Sequence, residues 1–310
     1  MDVMADGVWP TMVTPFKESG AIDYSGLERL IAWYLDQGVD GLFAVCQSSE
    51  MFFLSLEERV ELARFVKESV HGRIPVIASG HISDRLDDQI EEIESIAQAG
   101  IDAFVMVTNR LAAADQSETV WVRHAETLLQ KLPGIRFGLY ECPYPYKRLL
   151  SPELLKWCAS TGRFYFLKDT SCSLSDISAK MKAVKGSSLK IFNANSTTLL
   201  ESLKMGVSGF SGVMSNFHPD LYVWLAKNWK QEPQKAEAVQ AFLSTAALIG
   251  SQPYPVNAKY YLQKEGVPIG LNSRSLDSQT LTDVHKLEVD YLKSLSHMFR
   301  ESSIFNVLYG

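Results

Sequence analysis

Cysteine is scarce in this chain, and long apolar runs, basic tracts and glycine-rich phosphate turns are missing altogether. Four cysteines stand among 310 residues, at 46, 142, 158 and 172, and none forms a Cys-x-x-Cys pair. That spacing excludes a disulfide frame and fits a reducing cytosol, so a cytoplasmic protein is expected. No stretch approaches the roughly 18 apolar residues of a membrane span. The opening MDVMADGVWP carries two acids and no base, so a secretory signal is not expected. Lys plus Arg total 30 against 36 Asp plus Glu, a net charge of −6; without a Lys/Arg tract no nucleic-acid partner is expected. Gly-x-Ser-x-Gly, His-Glu-x-x-His and Walker patterns are absent, which removes the commonest hydrolase and nucleotide-binding readings.

What is present is an ordinary globular balance, 46% hydrophobic and 21% charged, which rules out a disordered or fibrous chain. Eight short runs rich in β-branched and aromatic residues recur at 8–15, 41–45, 75–80, 103–108, 136–141, 164–169, 190–195 and 209–214. Most are continuously hydrophobic rather than alternating, as parallel strands covered on both faces are. Amphipathic segments separate them. Tyr24–Gln37, Ser55–Val70 and Arg85–Ala99 carry apolar residues at helical spacing, and Ser55 with Glu58 reads as a capping box. Gly38, Gly100 and Gly206 stand where helices stop before a strand. Strand and helix alternating eight times predict an α/β fold, a closed parallel (β/α)8 barrel of the TIM type, over residues 1–230. Beyond about residue 217 only helical patterns follow, so residues 231–310 are expected to form a C-terminal helical extension packed on the barrel.

A barrel confines chemistry to the C-terminal ends of its strands. The polar residues falling there include Ser48, Ser49, Glu50, His81, Tyr140, Lys168, Asp169, Asn193 and Ser211. Lys168 follows Phe164-Tyr165-Phe166-Leu167 without a break. An ammonium held in apolar surroundings has a lowered pKa, and a neutral amine can form a Schiff base with a ketone. The plainer alternative is a lysine that pairs with Asp169 at the rim. Tyr140 ends the neighbouring run, where its phenol can move a proton to or from a substrate oxygen or simply pack in the core. Ser48-Ser49-Glu50 offers hydroxyls and backbone N–H groups to a small carboxylate, with Glu50 read as a structural hydrogen-bond acceptor. Cys46, Cys142 and Cys172 fall at strand ends with His81, but their spacing matches no zinc pattern, and no metal is expected.

At these residues the chain resembles the dihydrodipicolinate synthase / N-acetylneuraminate lyase family of class I aldolases. The likeness runs over roughly residues 7–300. It rests on Pro10-Thr11-Met12-Val13-Thr14-Pro15-Phe16, on Ser48-Ser49-Glu50 and the residues to Arg59, on Tyr140-Glu141-Cys142-Pro143, on Leu167-Lys168-Asp169-Thr170-Ser171, and on Gly209–Asn216. The resemblance implies a pyruvate-type substrate bound as an imine on Lys168, Tyr140 as the proton-transfer tyrosine, and Ser48 as a carboxylate anchor. It implies an aldehyde as the second reactant, no cofactor, and a homotetramer. Ser49, Gln47, Ser211 and Asn193 are the remaining candidate substrate-binding residues.

The departures from the family pattern are informative. The motif reads Cys46-Gln47-Ser48-Ser49-Glu50, without its two glycines, and Gln47 stands where a Ser or Thr relays protons. A glutamine amide hydrogen-bonds but carries protons poorly at neutral pH. Thr108-Asn109-Arg110-Leu111 lacks the Pro-Tyr-Tyr that supplies a partner-subunit tyrosine. Pro145 replaces the arginine that reads the aldehyde's carboxylate in the true synthase, so a reaction other than dihydrodipicolinate synthesis is expected. Asn193-Ala194-Asn195-Ser196 lacks the acidic pair of a sialic acid lyase, and Lys168-Asp169-Thr170 resembles the variant of some sugar-acid aldolases. Arg110, Lys147 and Arg148 are near-mouth cations. The expected activity is cleavage or condensation of a 2-oxo acid to pyruvate plus an aldehyde. The alternatives are a 2-oxo sugar acid dehydratase and a keto-acid-binding protein of impaired activity.

Overall fold

The computed structural model describes residues 4–302. Eight parallel strands form one sheet: β1 (Gly7–Val8), β2 (Leu42–Phe43), β3 (Val76–Ala78), β4 (Ala103–Val107), β5 (Phe137–Tyr140), β6 (Phe164–Asp169), β7 (Lys190–Asn193) and β8 (Gly209–Phe210). Their order is β1-β8-β7-β6-β5-β4-β3-β2, every pairing parallel. The ring closes where Thr11 bridges Phe43, with Phe43 N–H donating to the Pro10 carbonyl at 3.0 Å and Met12 N–H to the Phe43 carbonyl at 3.1 Å. Around it lie α1 (Tyr24–Asp36), α2 (Leu56–Ser69), α3 (Leu86–Ala97), α4 (Glu118–Lys131), α5 (Pro152–Ser160), α6 (Leu174–Ala183), α7 (Leu199–Lys204) and α8 (Pro219–Asn228). The fold is thus the expected barrel. Then follow α9 (Pro233–Ala246), α10 (Val256–Lys264) and α11 (Asp283–Glu301). Residues 303–310 of the expected extension lie outside the described residues, as do residues 1–3. Among the described residues no helix is long and apolar enough to cross a membrane.

The local signals act as their chemistry dictates. Ser55 and Glu58 form a reciprocal capping box at the start of α2. Gly38, Gly100 and Gly206 take φ of 75°, 83° and 99° after α1, α3 and α7. The first and last strands are shorter than the hydrophobic runs that contain them. Pro10 and Pro15 offer no N–H to a ladder, so the run 8–15 pairs only at its start and again at Thr11. The run 209–214 leaves the sheet after Phe210 and winds into a 3-10 turn, Val213–Asn216. At this seam β1 and β8 approach so closely that a Cβ on Gly209 would lie 1.8 Å from the Gly7 carbonyl oxygen. Only glycine fits there.

The two-residue period of a strand sets what faces the barrel interior. On β6, Phe166 and Lys168 share one face, and Asp169 points to the other. Phe166 stacks on Phe192 at 4.5 Å between centroids, and Trp9 lies 5.6 Å from Phe166. This aromatic layer is fully buried and floors the barrel. Lys168 stands one pleat above it.

Candidate active site

Lys168 is 3% exposed, and among the described residues no carboxylate pairs with it. Its Nζ lies 4.5 Å from the centroid of the Tyr140 ring and 6.0 Å from that of Phe43. Burial lowers its pKa to about 8, partly opposed by the neighbouring thiols of Cys46 and Cys142. At pH 7 roughly one such amine in ten is neutral, against about one in three thousand for an ordinary lysine. The register explains the meeting with Tyr140: the two residues are paired across β5 and β6.

The alternative pairing of Lys168 with Asp169 is contradicted by the pleat. Asp169 faces the helices, where its Oδ2 takes Lys180 Nζ at 2.6 Å and its Oδ1 accepts from Ser171. Glu141, one residue past Tyr140, holds the same Lys180 at 2.5 Å. Its Oε2 accepts from Thr170 N–H. Burial pulls the Lys180 pKa down, but the two carboxylates outweigh it and the net shift is upward.

The Tyr140 phenol donates to Gln47 Oε1 at 3.4 Å, and the Cys142 thiol donates to the same oxygen at 3.3 Å. Burial, then the thiols of Cys142 and Cys46, push the phenol well above its usual range, so it rests protonated. Burial pushes the Cys142 thiol up to about 11. Gln47 therefore does stand beside Tyr140, as an acceptor.

Opposite, Ser48 Oγ donates to Thr11 Oγ1 at 3.3 Å. The Tyr254 phenol lies against both hydroxyls and accepts from Asn216 Nδ2 at 3.1 Å. Burial raises the Tyr254 pKa. Tyr254 comes from the segment between α9 and α10, and nothing in its local sequence marks it. Glu50 takes a left-handed φ of 63° and is a structural acceptor. Its Oε1 pairs with Lys259 Nζ at 2.9 Å, and its Oε2 accepts from Ser273 Oγ, Arg274 N–H and Ser275 N–H at 2.6–2.8 Å. The C-terminal extension is thereby tied to the loop after β2.

Ser49, Ser211 and Asn193 do not line the cavity. Ser49 Oγ accepts from Cys46 N–H at 2.6 Å and donates to the Cys46 carbonyl at 2.7 Å, closing its own turn. Ser211 Oγ donates to the Trp9 carbonyl at 2.9 Å. Asn193 Nδ2 donates to Thr198 and Ser202, and its Oδ1 accepts from Asn195 N–H. His81 is likewise internal: Nε2 accepts from Val107 N–H, which puts the proton on Nδ1, facing Gln89 Oε1. Burial lowers its pKa to about 4. Of the three near-mouth cations only Lys147 borders the cavity; Arg148 donates to the carbonyls of Ala113 and Gln116, and Arg110 pairs with Asp84. Asn109 holds the mouth loop after β5 by donating to the carbonyls of Cys142, Tyr144 and Tyr146.

The result is a cavity of about 490 Å³ at the C-terminal ends of the strands, with Lys168 and Tyr140 in its floor and Ser48 and Tyr254 to one side. An amine whose neutral form is within reach at neutral pH, a protonated phenol and two hydroxyls suit imine formation on a keto acid.

The sequence profile of the dihydrodipicolinate synthetase family matches residues 4–290. A 4-hydroxy-tetrahydrodipicolinate synthase of Saccharophagus degradans is 26% identical over 269 residues, covering 85% of this chain and 90% of that protein. The enzyme of the same name from Bacillus subtilis is 28% identical over 265 residues, covering 84% and 89%. A prophage protein of the dihydrodipicolinic acid synthase family from E. coli K12, solved in complex with pyruvate, superposes with a TM-score of 0.85 at 25% identity, covering 94% of this chain and 98% of that one. A dihydrodipicolinate synthase from Thermotoga maritima gives 0.84 at 21% identity, covering 95% and 99%, a likeness of fold alone.

Proposed function

The chain belongs to the dihydrodipicolinate synthetase family of aldolases and lyases, and from that membership we propose that it forms a Schiff base with a pyruvate-type 2-oxo acid and makes or breaks the adjacent C–C bond with an aldehyde. Supporting this above all is the buried amine of Lys168, without a carboxylate partner among the described residues and set against the Tyr140 ring. The neutral amine adds to the keto carbon and water leaves. The imine cation then withdraws electrons as a C3 proton passes to the water just released, giving an enamine that attacks the aldehyde carbon. Tyr140, resting protonated, gives its proton to the aldehyde oxygen and regains one from the water that took the C3 proton, and water hydrolyses the imine to restore the amine. Because the imine nitrogen is the electron sink, the route needs no metal or cofactor. Ser48 and Tyr254 hydroxyls are assigned to the pyruvyl carboxylate, and a homotetramer is part of the same reading.

The curated relatives carry the synthase name, which does not support the expectation of a different reaction; at 25–28% identity they leave the aldehyde open. One observation favours a second reading, a keto-acid-binding protein of reduced activity: the group accepting from Tyr140 is the amide of Gln47. Incubation with pyruvate and borohydride, followed by intact mass, tests the first step. The expected result is one reduced adduct, lost in Lys168→Ala. No adduct in the native chain overturns the proposal, and an adduct without turnover on any aldehyde supports the second reading.

A further inference from the structure

The space above Lys168 is larger than a pyruvyl unit fills, and its walls differ in chemistry. One wall is aromatic. Phe52 and Phe53 come from the 3-10 turn Met51–Phe53, and Tyr144 comes from the loop after β5. Phe52 and Tyr144 meet at 4.8 Å between centroids, tilted by 59°. Phe53 and Tyr144 are 48% and 49% exposed, large values for rings bordering a pocket. Pro143, Val213 and Leu276 extend the apolar surface.

The other wall is polar, and most of its side chains are already engaged. Asn195 Oδ1 accepts from Thr198 N–H and Oγ1, and its Nδ2 donates to Cys172 Sγ. Thr170 Oγ1 donates to the Glu141 carbonyl. Ser275 Oγ is bonded to Ser273 Oγ, and both Glu50 oxygens are occupied. Among the described residues no guanidinium lines the cavity. Lys147 is its one cation besides Lys168 among the described residues, and one of its protons goes to the Thr170 carbonyl. A site that selects a polyol or a carboxylate does so with unengaged donors whose loss of a partner is costly. The donors left over are Gln47 Nε2 and the remaining Lys147 protons; the larger unengaged surface is the half-exposed rings of Phe53 and Tyr144, which favours a flat apolar group.

Resting on the aldolase reading above, we propose that the aldehyde partner is aromatic or otherwise flat and apolar, and that Phe53 and Tyr144 select it. The condensation joins C3 of the enamine to the aldehyde carbon. The carbonyl π pair moves to oxygen, which takes a proton, and hydrolysis of the imine frees Lys168. Pyruvate plus an aryl aldehyde thus gives a 4-aryl-4-hydroxy-2-oxobutanoate, with no oxidant or reductant.

The test compares kcat/KM for benzaldehyde, D-glyceraldehyde and succinic semialdehyde with pyruvate, for the native chain and for Phe53→Ala and Tyr144→Ala. The expected preference for benzaldehyde is about tenfold or more over either competitor, shrinking about fivefold in each variant. A ratio cancels any general loss from misfolding. Equal or better use of glyceraldehyde or succinic semialdehyde overturns the proposal. So does an unchanged ratio in both variants, including the case where light scattering shows that they alter assembly instead. Saturation-transfer NMR with benzyl alcohol and glycerol separates this inference from the aldolase reading. If no Lys168 adduct forms yet benzyl alcohol alone binds, and Phe53→Ala weakens it, the aldolase reading falls and the apolar selectivity stands. If benzyl alcohol does not bind and no aldehyde turns over, both fall.

Discussion

Lys168 and Lys180 are almost equally buried and stand on opposite sides of β6, yet their surroundings drive them in opposite directions. Lys180 has two carboxylates within 2.6 Å, and its pKa is raised. Lys168 has rings and thiols for neighbours, and its pKa falls to about 8. Burial penalises both ammonium groups; counter-ions reverse the outcome on one side only. One strand therefore carries an amine of lowered pKa on its inner face and faces a charge-stabilised lysine behind it, and the alternation of the pleat keeps the two apart.

The most severe way to break this contrast is to remove its inner member. Lys168→Met is expected to abolish the borohydride adduct entirely. It is also expected to stabilise the fold at pH 7 by on the order of 3 kcal/mol, because the buried charge disappears. The folded pKa of Lys168 lies below the unfolded one, so the unfolded chain holds the extra proton between about pH 8 and 10.5. Native stability should rise with pH across that window, and the variant should lose this slope. Urea unfolding at several pH values checks both statements, and a variant less stable than the native chain at pH 7 would refute the second.

Lys180→Met is the counterpart. It leaves Glu141 and Asp169 buried without their cation and should cost about 3–5 kcal/mol. Replacing the carboxylates as well, with Glu141→Gln and Asp169→Asn, should recover most of that loss in the same unfolding assay. In the native chain the Lys180 contribution is complete below its unfolded pKa and is lost as pH rises from there through the higher folded value.

Smaller effects sharpen the chemistry of the inner face. Tyr140→Phe should slow turnover about 10²-fold while leaving the adduct on Lys168, because the ring remains and only the proton is lost. Rates near those of the native chain would show that another group moves the proton. The rate of adduct formation should climb about tenfold per pH unit up to about pH 8 and then level, following the neutral amine. A plateau displaced to pH 10 or above would mean that the amine is hydrated in solution.

Much of this was legible in the sequence, for identifiable reasons. Strands buried on both faces leave continuous apolar runs, and Lys168 and Tyr140 interrupt such runs at their ends. Glycines and the Ser55–Glu58 pair mark the helix boundaries through backbone conformation, a local property. The direction in which a polar strand-end residue turns is not local. Ser49, Ser211 and Asn193 look like ligand groups in the sequence, but each bonds to its own chain. Tyr254 and Leu276 reach the cavity only because the chain folds back across the barrel mouth, and no periodicity records that return.

That return has a consequence for how such a molecule can diversify. Glu50 fastens the segment around residues 259–275 over the strands that hold the amine. On the aldolase reading proposed above, the bond-making apparatus and part of the surface that meets the second reactant would reside in distant stretches of one polypeptide. Exchange of the later stretch can retune what is accepted without touching what is done to it, provided that a cation and a pair of amides still reach that one carboxylate.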